Sequence, residues 1–197
     1  RSGDLKEVAR ILQSARRANS KAIGSRLMLS RVLQTQGNGA ESFAVAEEAG
    51  RIAPKNGQVR LVLGQAYANN GDQKRAISIL SELAEEQPSA AIVHFQLAIA
   101  HLRSGDKASG RSGLDRTLEL NAKHYGALLA KADLESLDGN RDKALTLVEQ
   151  LVGLAPDAPG PVVLRGDIHM RAKQFDEAEK TYRAALAKVP TGQVLMK

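Results

Sequence analysis

The chain has 197 residues and contains neither cysteine nor tryptophan, which excludes a disulfide framework and a thiolate metal site. Aromatic residues are scarce: Phe43, Tyr67, Phe95, Tyr125, Phe175 and Tyr182 are all there are. Packing is therefore left to Ala, Leu, Ile and Val, which favours close-packed helices over a sandwich or barrel. No apolar run approaches the ~18 residues needed to span a bilayer. The chain opens Arg1-Ser2-Gly3 without an initiator Met, so the lack of a targeting segment says nothing about compartment. Enzyme signatures are missing as well, with no P-loop sequence, no His-Glu-x-x-His and no Gly-x-Ser-x-Gly. Gly37-Asn38-Gly39 and the stretch from Gly110 to Gly113 follow no strand pattern, so they lack the setting of a phosphate-cradling loop. The expectation is a non-enzymatic protein with no catalytic residue, no cofactor and no metal.

What is present is a composition that is 43% hydrophobic and 25% charged, that of an ordinary globular chain, with its charge unevenly placed. Residues 1–31 carry Arg1, Lys6, Arg10, Arg16, Arg17, Lys21, Arg26 and Arg31 against only Asp4 and Glu7. That local excess accounts for the net charge of +6 of the whole chain. Lys6, Arg10 and Arg17 fall at helical spacing on a polar side that could meet phosphate, an acidic protein or an anionic membrane surface. A merely solvated face is the plainer reading. Nucleic acid is disfavoured, because no aromatic residue stands within residues 1–42 to stack on bases.

Internal repetition settles the architecture. Small-turn dipeptides fall at Gly3-Asp4, Gly37-Asn38, Gly71-Asp72, Gly105-Asp106 and Gly139-Asn140, each 34 residues after the last. Pro54, Pro88, Pro156 and Pro190 keep the same phase, with Ala122 in the one missing place. One period reads as a helix, a tight turn, a second helix and a stop. Gly takes positive φ after the first helix, the following Asp or Asn caps the second, and Pro ends it. Between these marks apolar residues run at helical spacing, as in Leu61, Leu63, Ala66 and Tyr67, then Ala76, Ile77, Leu80, Leu83 and Ala84.

These residues resemble the tetratricopeptide repeat family, whose unit is a 34-residue helix-turn-helix. The match takes in Leu63-Gly64, Tyr67, Gly71-Asp72, Ala76, Leu80, Ala84 and Pro88, and later Gly166, Phe175, Ala178, Tyr182, Ala185, Leu186 and Pro190. The resemblance implies an all-α fold, an α-solenoid of paired helices forming a right-handed superhelix. Full units are set at 23–56, 57–90, 91–124, 125–158 and 159–192. Residues 1–22 align with a lone second helix, its face made of Leu5, Val8, Leu12 and Ala15, and residues 193–197 with the opening of a further unit. The chain thus looks like a piece of a longer array, and its apolar ends lead to an expectation of end-to-end self-association.

Some positions depart from the pattern. Lys131 stands where Leu is typical, and Lys173-Gln174 replace the Gly-Asp turn. Gly110 and Gly113, inside a second helix, should cost about 1 kcal/mol each relative to Ala, which marks a soft or bent point. His101 and His169 occupy a place where the family packs Tyr and His94 shares that face, so all three read as structural; His124 shows no role. Four histidines in this pattern do not supply the convergent ligands of a metal site.

The resemblance further implies that the first helices line a concave surface. The residues facing it would be Leu27, Arg31 and Gln34; Gln58, Leu61 and Gln65; Ile92, Phe95, Ile99 and Arg103; Leu129, Asp133 and Ser136; Val163, Asp167 and Met170. An apolar floor with sparse charges suits an extended or helical peptide, its register fixed by Arg31, Arg103, Asp133 and Asp167. The alternative is that Leu27, Phe95, Leu129 and Val163 simply pack between neighbouring units. The clamp that some members use for a chaperone's acidic C-terminus is absent, and so is the asparagine ladder of glycosyltransferase arrays, its places being held by Met28, Val62, Gln96, Ala130 and Leu164. The expected function is a scaffold that binds a protein or peptide. The Ala- and Leu-rich texture resembles repeat lipoproteins of the bacterial envelope linked to exopolysaccharide production and PEP-CTERM protein sorting, which implies the periplasm or outer membrane. The alternatives are a docking or regulatory segment of a larger enzyme, and an array that works by self-association.

Overall fold

A computed structural model describes residues 2–188. Eleven α-helices and no strand occur among them: α1 (Ser2–Ala18), α2 (Ile23–Thr35), α3 (Gly39–Ile52), α4 (Gly57–Asn69), α5 (Gln73–Glu86), α6 (Ala91–Arg103), α7 (Lys107–Leu120), α8 (Tyr125–Leu137), α9 (Arg141–Leu154), α10 (Pro159–Arg171) and α11 (Phe175–Lys188). The first helices α2, α4, α6, α8 and α10 begin at Ile23, Gly57, Ala91, Tyr125 and Pro159, at the sequence period. The fold is an all-α helical repeat solenoid. Pro190 and residues 193–197, to which the sequence assigns a stop and a new unit, lie outside the described residues.

One turn chemistry generates the repeat. Gly37, Gly71, Gly105 and Gly139 take φ of 79°, 89°, 89° and 80°, a left-handed conformation that costs a residue with a Cβ ~1–2 kcal/mol. The amide after each reaches back to the end of the preceding helix, as in Asp72 N to Tyr67 O at 3.0 Å and Asn140 N to Glu135 O at 2.8 Å, which ties off the carbonyls there. Lys173 makes the same turn at φ 59°, with Gln174 N bonded to His169 O at 2.9 Å. The caps that follow are not uniform. Asp72 accepts from Arg75 N and Asp106 from Ser109 N, and the backbone and hydroxyl bonds of Ser109, more than nearby His101, hold the Asp106 carboxyl below its usual range. Asn38 and Asn140 make no side-chain cap; the Asn140 amide donates instead to Glu135 Oε2 at 2.7 Å.

The chain divides into two compact units, one ending at Gly113 and one beginning at Leu114, so the division falls within α7. In the first unit each helix from α1 to α6 packs on its chain neighbours, and α4 also touches α2 and α6. Leu27, Ala46, Ala49, Val59, Val62 and Ala66 form one core cluster, and Ala68, Ala76, Leu80 and Ala100 another. Helix α1 packs through Ala9 and Leu12 against Leu29, Leu33 and Val45. This corrects the sequence reading of its face: Val8 and Ala15 are exposed, since α1 packs mainly on α2 and one narrow stripe suffices. Gly110 and Gly113 are likewise points of close approach. A Cβ on them would lie 2.5 Å from Leu102 and 2.8 Å from Ala98, so their helix cost comes with tight packing on α6, and the division into two compact units falls directly after Gly113.

In the second unit α9 packs between α8 and α10, and α11 closes on α10. Ala132, Ala144, Val148, Leu164 and Ile168 form its core. Lys131 is explained here: its ammonium pairs with Asp115, one helix back. Arg165 repeats the arrangement with Glu149 at 2.6 Å.

Candidate functional site

In the first unit the helices α2, α4 and α6 converge on an open cavity of about 340 Å³. It is lined by Ser30, Arg31, Gln34 and Thr35 from α2, Ser42 from α3, Val62, Gln65, Ala66 and Asn69 from α4, and Gln96 from α6. Three of the residues singled out from sequence, Arg31, Gln34 and Gln65, meet there. Val62 and Gln96, which hold places of the asparagine ladder, line it too, and Asn69 was missed, though it lies one helical turn beyond Gln65 on the same face. The walls are polar where an apolar floor was expected. Ser30 and Ser42 bond to each other at 3.0 Å and to each other's backbone carbonyls, so they are spent on joining α2 to α3. Asn69 accepts from the Arg103 guanidinium, which leaves its amide N–H groups available as donors. Gln65 and Gln96 are half-buried and have no hydrogen-bond partner among the described residues. Arg31 is exposed and pairs with no carboxylate among them.

The other first-unit candidates divide by burial. Leu27 is only 8% exposed and belongs to the core, so it packs between units and offers no surface. Leu61 packs at the edge of two core clusters, and Phe95 and Ile99 are half-buried. Gln58, Ile92 and Arg103 are exposed.

In the second unit the acids are already engaged. Arg171 Nη1 donates to Asp133 Oδ1 at 2.8 Å and to the Ser136 hydroxyl at 3.0 Å, binding α10 to α8. The Tyr182 hydroxyl donates to Asp167 Oδ1 at 2.6 Å, and that bond, with burial, pushes the phenol up to about 12. Ser136 is buried, Leu129 packs against the core, and Val163 and Met170 are exposed. Asp133 and Asp167 thus hold helices together, a role that spacing alone does not reveal.

The basic N-terminal segment is also partly tied down. Arg10 pairs with Glu7 at 2.6 Å, and its hydrogen bond holds that carboxyl below the usual range. Lys6 and Arg17 are exposed. Arg26, 6% exposed, shares Glu48 with Arg16 and donates to Ala22 O at 2.8 Å. Burial pushes the Glu48 carboxyl up, and the bonds and charge of Arg16 and Arg26 outweigh it, leaving it below the usual range. Of the histidines, His169 is buried against Gln174 at 2.9 Å, His101 lies 3.4 Å from Asp106 and His94 is 3.0 Å from Pro88 O. His124 has a role that was missed: its Nδ1 caps α8 by accepting from Ala127 N at 3.1 Å. Among the described residues no group of three His, Asp or Glu is placed to hold a metal ion, and no helix is long and apolar enough to cross a membrane.

Paired helices on a 34-residue period, with unpartnered polar side chains on the first helices, define a helical-repeat interaction module. The chain belongs to the tetratricopeptide repeat family: two family models with that description match residues 33–94 and 137–196, and residues 95–159. A comparison with curated proteins finds no match. Among solved structures, the chain is similar to TTC0263, a thermophilic TPR protein of Thermus thermophilus, at 20% identity over 87% of this chain and 93% of that one, with a TM-score of 0.78. It is similar to PilW, a type IV pilus biogenesis factor, at 13% identity over 97% and 89%, TM-score 0.79. It is also similar to YrrB, described as a TPR protein with an unusual peptide-binding site, at 14% identity over 93% and 95%, TM-score 0.59. At these identities the likeness is one of fold. Proteins of this family are generally non-enzymatic modules that bind peptides or proteins.

Proposed function

We propose that the first unit binds an extended peptide segment of a partner protein across α2, α4 and α6. The observation that carries this reading is the convergence of Gln65 and Gln96, half-buried and without partners among the described residues, on one open cavity. A carboxamide offers both a donor and an acceptor, which is what a peptide backbone needs on each side. A half-buried amide left unpaired forfeits hydrogen-bond energy that a ligand can restore. Val62 and Ala66 add apolar contact within the same lining. The site does not extend through Leu27, which is core.

The test is peptide binding to the whole chain and to a Gln65→Ala, Gln96→Ala variant whose helicity is checked by circular dichroism. Loss of binding with retained helicity is the expected result; equal binding by both proteins removes the site. A place in a bacterial envelope assembly belongs to the same proposal, supported by sequence texture alone. Recovery of the native protein only from the cytosolic fraction of its source cell would exclude it.

A further inference from the structure

We infer that the peptide taken by this cavity carries an acidic side chain, whose carboxylate docks on Arg31 while the flanking backbone lies on Gln65 and Gln96. The inference rests on the peptide reading above and adds the chemistry of the ligand. Three observations support it. No carboxylate lines the cavity, so any negative charge in it is supplied from outside. Arg31 projects from α2 with its guanidinium unpaired among the described residues, whereas Arg16, Arg26, Arg60 and Arg171 in the same fold each hold an acid. Arg103 adds a second positive charge through its bond to Asn69 on the cavity wall.

Geometry suits a carboxylate, and the open cavity lets a chain run through it and present that group on a side chain. A guanidinium presents a planar fork that takes a carboxylate by two parallel bonds, and Gln65 and Gln96, being neutral, neither compete for it nor repel it. Lys6 and Arg17 on α1 are exposed as well, and such bases on the same unit would speed the approach of an acidic segment.

The probe is a random dodecapeptide library displayed on phage and selected against the 197-residue chain. The expected result is a set of binders sharing one Asp or Glu at a fixed register. Made as synthetic peptides, these lose at least ~10-fold in affinity when that residue becomes Asn or Gln. Arg31→Gln costs the same factor, and the two changes together cost no more than either alone. Binding also weakens with added salt, and amidation of the peptide C-terminus leaves it unchanged.

Binders that are lost with Gln65→Ala, Gln96→Ala but share no acid and ignore Arg31→Gln would overturn the carboxylate and leave the peptide groove standing. Binders abolished by C-terminal amidation would overturn the side-chain assignment in favour of a chain terminus. If no binder responds to the paired glutamine change, the groove reading falls and this one with it.

Discussion

Gly166 is the position where packing makes the sharpest demand on sequence. A Cβ there would fall against three ring atoms of Tyr182, two of them at 2.7 and 2.8 Å, about 1 Å inside ordinary contact. The ring cannot simply yield, because its hydroxyl is held by Asp167 at 2.6 Å. Overpacking of this kind costs ~1–3 kcal/mol, and loss of a hydrogen bond to a charged acceptor adds ~1.5–3 kcal/mol if the ring swings out. Against this, Ala gains ~1 kcal/mol over Gly in a helix interior. Gly166→Ala is therefore expected to destabilise by ~0–2 kcal/mol if Tyr182 keeps its hydrogen bond and by ~1.5–5 kcal/mol if it loses it. The assay is hydrogen exchange across α10 and α11, with urea unfolding of the whole chain alongside. Two controls make it decisive. Gly153 on α9 has nothing within 4 Å of its Cβ position, so Gly153→Ala should stabilise by up to ~1 kcal/mol. One unit earlier the equivalent pair is Ala132 and Val148, both fully buried in one cluster. Gly166→Ala combined with Tyr182→Val should therefore couple favourably by ~1 kcal/mol or more. If Gly166→Ala behaves like Gly153→Ala, or the double change shows no coupling, the reasoning is refuted.

Glu48→Gln leaves Arg26 buried with only carbonyl acceptors and should cost about 2 kcal/mol, less than the ~3–5 kcal/mol of a fully buried pair because Glu48 is partly exposed. Its carboxyl is held below the usual range when folded, so its contribution is present above ~4.3, the unfolded value, and fades as pH falls through the folded value. The urea midpoints of parent and variant should converge in acid, and a gap as large at pH 2 as at pH 7 contradicts the pairing. Lys173→Gly relieves a left-handed residue and should raise the melting temperature, by ~0.5–1 kcal/mol after the extra chain entropy of Gly; a lower melting temperature contradicts strain at the turn. Lys131→Asp should cost ~0.5–1 kcal/mol by setting two acids together, and adding Asp115→Lys should restore it. No recovery in the reversed pair would mean that the contact is idle.

Much of the fold was legible because one physical event, a left-handed residue after a helix, recurs on a fixed period and glycine marks it four times. At Lys173 the marker is gone while the turn persists, held by Lys173 N to Met170 O at 3.0 Å and Gln174 N to His169 O at 2.9 Å. Geometry imposed by two packed helices outweighs the local preference of one residue. Lys131 looked anomalous because each position was compared with its counterpart 34 residues away, whereas its partner Asp115 lies 16 back. Helix propensity marks Gly110 and Gly113 by the helix they sit in, and the close approach to α6 that requires them is invisible to it. Which first-helix residues would meet was legible in part. Arg31, Gln65 and the ladder place of Gln96 followed from the family resemblance, but the gathering of Asn69 with them around one cavity depends on how three helices converge, which no single-helix period encodes. Asp133 and Asp167 were taken for ligand contacts for the same reason: Arg171 and Tyr182, which occupy them, are distant in sequence.

The ion pairs of Lys131 with Asp115 and of Arg165 with Glu149 join a second helix to the first helix that follows it. Two units ahead of Lys131, Leu63 stands at that place and packs instead at the edge of an apolar cluster. These junctions therefore share an acid on the second helix, Glu47, Asp115 or Glu149, and differ in what the next helix sets against it. Transplanting the helix pair that starts with α8 to the place of the pair that starts with α4 would set Lys131 opposite Glu47, which stands where Asp115 does, at the cost of the apolar contacts of Leu63. Such a shuffled chain would keep its period and exchange an apolar junction for an ionic one, so a graft between arrays changes the chemistry of a junction even where the neighbouring helix offers the matching charge.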